Sequence, residues 1–293
     1  MAFGTVKSWE QIGAEHARIL GDDAGWENFR RTIASRYFTD AKYSEDDLRF
    51  AWDFLARRGA RISETDFAEG NPLRIVIDGK IITQDLLNSA SELHSMERVI
   101  DFSKIESFVE IGGGYGRMAL MVCQRYPHIR YTIVDVPPAS EISRKFLAGK
   151  FEVASITPAE LESLDQADVF YSSSVMSELD RKFVTNYFQL IDRKGTYFYL
   201  KDWKTGHHLN DLPRTKELVL RGLNKVSTIL RGRPSRRVTK MIDAYRISED
   251  NYPRHGWQEL LHEDCEDVTG YSPSTNRVTG DQGFFEVVYK IRR

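Results

Sequence analysis

The sequence predicts an α/β fold: a sheet of seven strands, parallel where strands alternate with helices, preceded by a helical N-terminal region and interrupted by a helical insertion after the fifth strand. Three observations lead there. From Ser107 onward, short apolar runs alternate with helical segments, and strands separated by helices imply a parallel sheet with right-handed crossovers. Between the first of these strands and its helix lies a glycine run, Gly112-Gly113-Gly114-Tyr115-Gly116. Residues 1–104 carry apolar positions at helical spacing and no catalytic motif.

In chain order, Ser44 caps a helix whose first turn holds Glu45, Asp46 and Asp47, whose apolar face is Leu48, Trp52 and Leu55, and which ends at Arg57-Arg58-Gly59. Residues 75–82 read as a hairpin turning at Asp78-Gly79. A further helix starts after Thr83, with Leu86, Ala90, Leu93 and Ile100 on one face. This N-terminal region, 1–104, reads as a lid or a dimer interface, which leaves a homodimer open. The second unit, 105–293, has strands at 107–111, 131–134, 151–154, 169–172 and 196–200, with a helix over 118–123 after the glycines. The stretch from 206 to 255 breaks the rhythm with a helix on Val219, Leu223, Val226 and Leu230, a basic run, and Asn251-Tyr252-Pro253. It reads as an insertion over the ligand edge of the sheet. A helix resumes over 257–261, a sixth strand follows at 266–269, and 284–291 supplies the seventh.

Composition narrows function by exclusion. The 293 residues include 41 Lys and Arg against 43 Asp and Glu, a net charge of -2. No excess positive field exists to hold a phosphate backbone or an anionic membrane, so neither partner is expected. Hydrophobic residues at 41% and charged residues at 29% describe an ordinary globular chain. Cys123 and Cys265 have no Cys or His neighbour at zinc-ligand spacing and read as buried thiols in a reducing compartment. No leader pattern and no apolar run of about 18 residues occurs, so a cytoplasmic location is expected.

The sharpest signal is Phe108-Val109-Glu110-Ile111 running into the glycines and then into Arg117. Glycines let a backbone turn tightly and approach a ligand, with a helix N-terminus behind. Asp135 closes the next strand about 20 residues on, where an acid accepts hydrogen bonds from ribose hydroxyls. A dinucleotide fingerprint would need a third glycine where Arg117 stands. Glu110, two residues before the first glycine, would repel a pyrophosphate but could pair with the cationic end of S-adenosylmethionine.

With Glu110, Gly112, Gly114 and Gly116 in E-x-G-x-G-x-G order, the sequence resembles the class I S-adenosylmethionine-dependent methyltransferases, over roughly residues 105–293. Within that group, Glu110 to Arg117, the run Ser172-Ser173-Ser174-Val175-Met176-Ser177-Glu178-Leu179, and the upstream Glu69-Gly70-Asn71-Pro72 and Ile82-Thr83-Gln84-Asp85-Leu86-Leu87 are similar to the sugar O-methyltransferase family of antibiotic and surface-polysaccharide gene clusters. The resemblance implies a Rossmann-like seven-stranded methyltransferase sheet and S-adenosylmethionine as cofactor. It also implies a cofactor site of Glu110, Gly112, Gly113, Gly114 and Gly116, with Asp135 on the ribose, Val136 on the adenine, and Ile156 and Thr157 by its amine. Ser172 and Ser173 stand at the carboxyl edge of the fourth strand, where ligands bind in open α/β folds.

A sugar hydroxyl must lose its proton as it attacks, which calls for a base or a metal. His207 and His208 follow the fifth strand and titrate near neutrality; Glu178, after the fourth, is a further base or orients a histidine. The metal alternative rests on Glu178, Asp180 and Asp202 as oxygen ligands, without an adjacent acidic pair to strengthen it, so no metal is expected. Four arginines in Arg231-Gly232-Arg233-Pro234-Ser235-Arg236-Arg237 suit a phosphorylated acceptor or form a solvated loop. Trp203, Tyr245, Tyr252 and Trp257 could stack on a sugar ring or serve packing. The rival acceptors are another small-molecule hydroxyl or an amine. A nucleic-acid methyltransferase lacks its Asn/Asp-Pro-Pro motif here, and the intact loop argues against a non-catalytic scaffold.

Overall fold

A computed structural model of the chain describes residues 7–31, 44–179, 181–203, 219, 222–223, 225–229, 256–265 and 284–291. The N-terminal region holds α1 (Lys7–Gly21), α2 (Asp23–Glu27) and α3 (Glu45–Arg57). The α3 start is a capping box: Ser44 Oγ accepts from the Asp47 amide at 3.2 Å and the Asp47 carboxylate accepts the Ser44 amide at 2.8 Å. Strands β1 (Ile75–Ile77) and β2 (Lys80–Ile82) pair antiparallel. Between them Asp78 and Gly79 have φ of 50° and 77°, the left-handed pair that a two-residue hairpin turn needs. Thr83 caps α4 (Gln84–Glu97), which buries Leu86, Ala90, Leu93 and Met96. The helix stops before Ile100, which is buried in the turn beyond it.

The main sheet has seven strands in the order β5-β4-β3-β6-β7-β9-β8. These are β3 (Ser107–Ile111), β4 (Arg130–Val134), β5 (Val153–Ile156), β6 (Ala167–Ser173), β7 (Gly195–Trp203), β8 (Gln258–Cys265) and β9 (Phe284–Lys290). The first five are parallel, while β9 runs antiparallel between β7 and β8. The intervening helices are α5 (Arg117–Arg125), α6 (Pro137–Leu147) and α7 (Arg181–Lys194). The strand order reverses at β3 and β6, which places a crevice beyond their carboxyl ends.

Side chains alternate between the two faces, so each strand feeds two cores. Phe108, Tyr131, Val169, Tyr171 and Tyr199 join a cluster with Leu48, Leu86, Leu93, Met118 and Phe146. Val109, Val134, Phe170, Phe198 and Leu200 join the other, against Phe183, Tyr187, Phe188 and Ile191 of α7. The first cluster is continuous across residue 104, drawing on helices from both sides of it.

The helix expected over 257–261 is instead the start of β8. A short apolar run such as Trp257 to Leu261 has no periodicity that separates helix from strand. The open edge of β9 decides it, pairing Gln258 with Lys290 through Cys265 with Phe284, and a bulge between Glu259 and Leu261 absorbs the adjacent leucines. The sixth strand expected at 266–269 lies outside the described residues, as does most of the insertion. Residues 219, 222–223 and 225–229 of that insertion are helical, with Val219, Leu223 and Val226 exposed. The third strand of the parallel set starts later than expected, at Val153, which carries its end to Ile156.

Candidate active site

The turn after β3 is shaped by three left-handed glycines, Gly112, Gly114 and Gly116, at φ of 77°, 56° and 97°. Packing demands small residues here as well. A Cβ on Gly112 would strike the Val175 side chain, one on Gly113 would sit 2.6 Å from Ile133 Cγ2, and one on Gly116 2.7 Å from Leu147 Cδ1. The loop is therefore pressed between β4, α6 and the segment after β6.

Asp135 follows β4 and pins this loop. Its Oδ2 accepts the Gly114 amide at 2.9 Å and its Oδ1 the Val136 amide at 2.7 Å. Burial pushes its pKa up to about 6 against those two hydrogen bonds. A carboxylate has about four lone-pair positions, so two remain for ribose hydroxyls. The Asp135 amide donates to the Ile156 carbonyl at 3.2 Å, which brings Asp135, Val136, Ile156 and Thr157 to one corner. Thr157 is itself a cap, its amide on the Glu160 carboxylate at 2.7 Å.

Glu110 stands elsewhere than at the open edge. It is 3% exposed, beneath the loop, and accepts the Tyr131 hydroxyl at 2.8 Å. Burial pushes its pKa up to about 8, so the group is a neutral acid at pH 7.

Ser172 and Ser173, read together from sequence, point to opposite faces. Ser172 is fully buried, its Oγ without a partner among the described residues. Ser173 Oγ donates to Glu92 at 3.1 Å and accepts from Arg117 at 3.2 Å. Both belong to a charged cluster that sequence reasoning did not find. Arg117 forks onto Glu92 at 2.7 and 3.0 Å and also donates to Ser89 at 2.9 Å and to the Tyr171 hydroxyl at 3.3 Å. Lys201 Nζ lies 3.1 Å from the same Glu92. Burial pushes the Glu92 pKa up, but Arg117 and Lys201 more than reverse it and hold the group at about 2. The available signal was Ser89, Glu92 and Ser95 interleaved with Leu86, Leu93 and Met96 on the inner face of α4.

The N-terminal region also holds the loop. The Tyr115 hydroxyl donates to Asp85 at 2.7 Å, and buried Arg30 bridges Asp85 and Asp66 at 3.1 and 2.8 Å. The Arg30 guanidinium lies 5.0 Å from the Tyr115 ring centroid.

Of the expected bases, the Glu178 backbone ends a 3-10 turn after β6. Its side chain, His207, His208 and Asp180 lie outside the described residues. Asp202 is fully buried and accepts the Ser177 amide at 2.9 Å. Among the described residues no three His, Cys, Asp or Glu groups gather as a metal site. Of its two readings Trp257 takes packing: it stacks on Phe188 at 5.5 Å and donates to Asp192 at 2.7 Å. Tyr245, Tyr252, the 231–237 arginines and the Trp203 side chain lie outside the described residues. Cys123 is a free thiol whose pKa burial pushes up to about 12. Among the described residues no helix is long and apolar enough to cross a membrane.

Comparison with known proteins adds names to this geometry. Residues 80–193 match the family model of the O-methyltransferase domain. The chain is 28% identical over 160 residues to the mitomycin biosynthesis 6-O-methyltransferase of Streptomyces lavendulae, covering 50% of this chain and 46% of that protein. It is 22% identical over 180 residues to (RS)-norcoclaurine 6-O-methyltransferase of Thalictrum flavum subsp. glaucum, covering 60% and 46%. These matches thus span about half the length of both curated relatives. Among solved structures, the mitomycin 7-O-methyltransferase MmcR is similar at a TM-score of 0.39 and 17% identity, covering 88% of this chain and 70% of that one.

Proposed function

We propose that this chain, whose residues 80–193 match the family model of the O-methyltransferase domain, transfers a methyl group from S-adenosylmethionine to a hydroxyl of a small molecule, a sugar or sugar-containing metabolite. The observation that carries the reading is the corner where the glycine loop meets Asp135, with the Gly114 amide 2.9 Å from its carboxylate. That corner lies at the carboxyl ends of β3 and β4, beside the reversal of strand order at β3 and β6, where open α/β sheets take ligands. The names of the relatives favour a small natural-product hydroxyl, and the motifs shared with sugar O-methyltransferases favour a sugar within that class.

When bound, the cofactor supplies a methyl group on a positively charged sulfur. The protein's own part is binding and positioning. Asp135 would accept the ribose hydroxyls, Val136 would pack on the adenine with Ile156 and Thr157 by its amine, and Gly112, Gly113, Gly114 and Gly116 would let the backbone approach the ligand. The transfer is an in-line displacement, so holding the acceptor oxygen in line supplies much of the rate. The acceptor proton passes to a base in the Glu178, His207, His208 group.

Calorimetry with S-adenosylhomocysteine tests the binding half. Asp135→Ala is expected to bind about 10- to 150-fold more weakly than wild type, the loss of about 1.5 to 3 kcal/mol for hydrogen bonds to a charged group. Equal affinities would remove Asp135 from the site. For the base, His207→Ala, His208→Ala and Glu178→Gln are assayed for product formation with and without EDTA. Loss of the base is expected to cut turnover about 100- to 10,000-fold with cofactor affinity kept. Activity lost to EDTA and restored by magnesium, with both histidine variants near wild type, would transfer the role to the carboxylates.

A further inference from the structure

We propose that Arg117 is the cation that reads the carboxylate at the amino-acid end of the cofactor, and that Glu92 and Ser89 of α4 hold its guanidinium in position. The inference rests on the cofactor reading above and adds a residue that reading does not use.

The strand order sets the direction in which the ligand runs. With its ribose on Asp135 at the end of β4 and its adenine beside Ile156 at the end of β5, the other end extends across β3 toward β6. That end carries an α-carboxylate and an α-ammonium. Arg117 directly follows Gly116, and its guanidinium reaches Ser173 Oγ at the end of β6, 3.2 Å away. The cation is the partly open member of its cluster: the Arg117 side chain is 23% exposed and the Glu92 side chain 1%. Its two terminal nitrogens are committed to Glu92, Ser89, Tyr171 and Ser173, while its Nε–H has no partner among the described residues. A guanidinium held by a bidentate carboxylate loses little freedom when a second anion binds, so it is preorganised for one. The adjacent ammonium would need an acceptor, and α4 carries one that is unused. Asn88, one turn before Glu92 on α4, has a buried Oδ1 without a partner among the described residues.

The test compares two probes, S-adenosylhomocysteine and 5′-methylthioadenosine, which lacks the amino-acid end. Affinities are measured by calorimetry on wild type, Arg117→Gln and Arg117→Lys, with circular dichroism to check the fold. Arg117→Gln is expected to weaken S-adenosylhomocysteine about 10- to 100-fold while leaving 5′-methylthioadenosine within about twofold, and Arg117→Lys to fall between. If Arg117→Gln does not fold, Arg117→Gln with Glu92→Gln removes both charges and should show the same split. Equal losses for both probes, or an unchanged affinity for S-adenosylhomocysteine, would make Arg117 a structural strut and overturn the assignment. Failure of the wild type to bind either probe would instead overturn the cofactor reading itself.

Discussion

Glu92 on α4 and Glu110 on β3 serve the same face of the sheet, at 1% and 3% exposure, yet they ionise in opposite directions. Each accepts a tyrosine hydroxyl, from Tyr171 and Tyr131 respectively. The difference is charge. Glu92 touches Arg117 and Lys201 and is held well below the usual carboxylate range, while Glu110 has only the neutral Tyr131 in hydrogen-bond contact among the described residues, and burial, against a weaker pull from Arg117, pushes it up to about 8. Burial alone therefore does not decide the state of an acid here; a cation within contact distance does. The two ends of the glycine loop consequently rest on different supports. The exit at Arg117 is anchored by an ion pair, and the β3 end lies over a neutral acid.

The largest effect expected from breaking this contrast is at Glu92. Glu92→Gln leaves a buried ammonium and a partly buried guanidinium without their carboxylate, which should lower unfolding stability by about 3 to 5 kcal/mol in denaturant titrations at pH 7. In the wild type, the stability that Glu92 contributes is present above its unfolded value of 4.5 and is lost as pH falls toward about 2. A loss below about 1 kcal/mol would show that the cluster is not a stabilising ion pair.

Glu110 should behave in the opposite sense and by less. Its folded pKa is raised, so the folded state binds the extra proton and stability falls as pH rises from 4.5 through about 8. Glu110→Gln keeps an acceptor for Tyr131 and removes the charge. It should match wild type near pH 4 and exceed it by on the order of 1 to 3 kcal/mol at pH 8 to 9. A difference between wild type and variant that does not change with pH would mean that Glu110 ionises normally.

Much of the scaffold was legible before any coordinates. The Ser44 and Thr83 caps, the Asp78-Gly79 hairpin and the strand-glycine-helix unit at 107–125 all depend on residues within about four positions of one another, and each appears in the structure. The meeting of Gly114 and Asp135 was legible because both are tied to strand ends: each follows a strand, and parallel neighbours bring those ends together. Trp257 to Leu261 misled because an edge strand takes its conformation from the strand it joins, and that partner, β9, lies beyond residue 283.

What the sequence alone determined is thus the order of elements, the glycine turn and the acid at the end of β4, all set by local propensity and by side-chain periods of 2 and 3.6. Only the tertiary structure decided that Arg117, read from sequence as the reason a dinucleotide would not fit, is ion-paired to the buried Glu92. The same holds for Glu110, read as a carboxylate, whose burial pushes its pKa well above the usual carboxylate range. Lys201 meets Glu92 across 109 positions of chain and Arg117 meets it across 25. Neither separation leaves a periodic trace, because such contacts arise when a helix from one part of the chain is laid across strands from another. Ionisation follows from those contacts, so it too was fixed by packing.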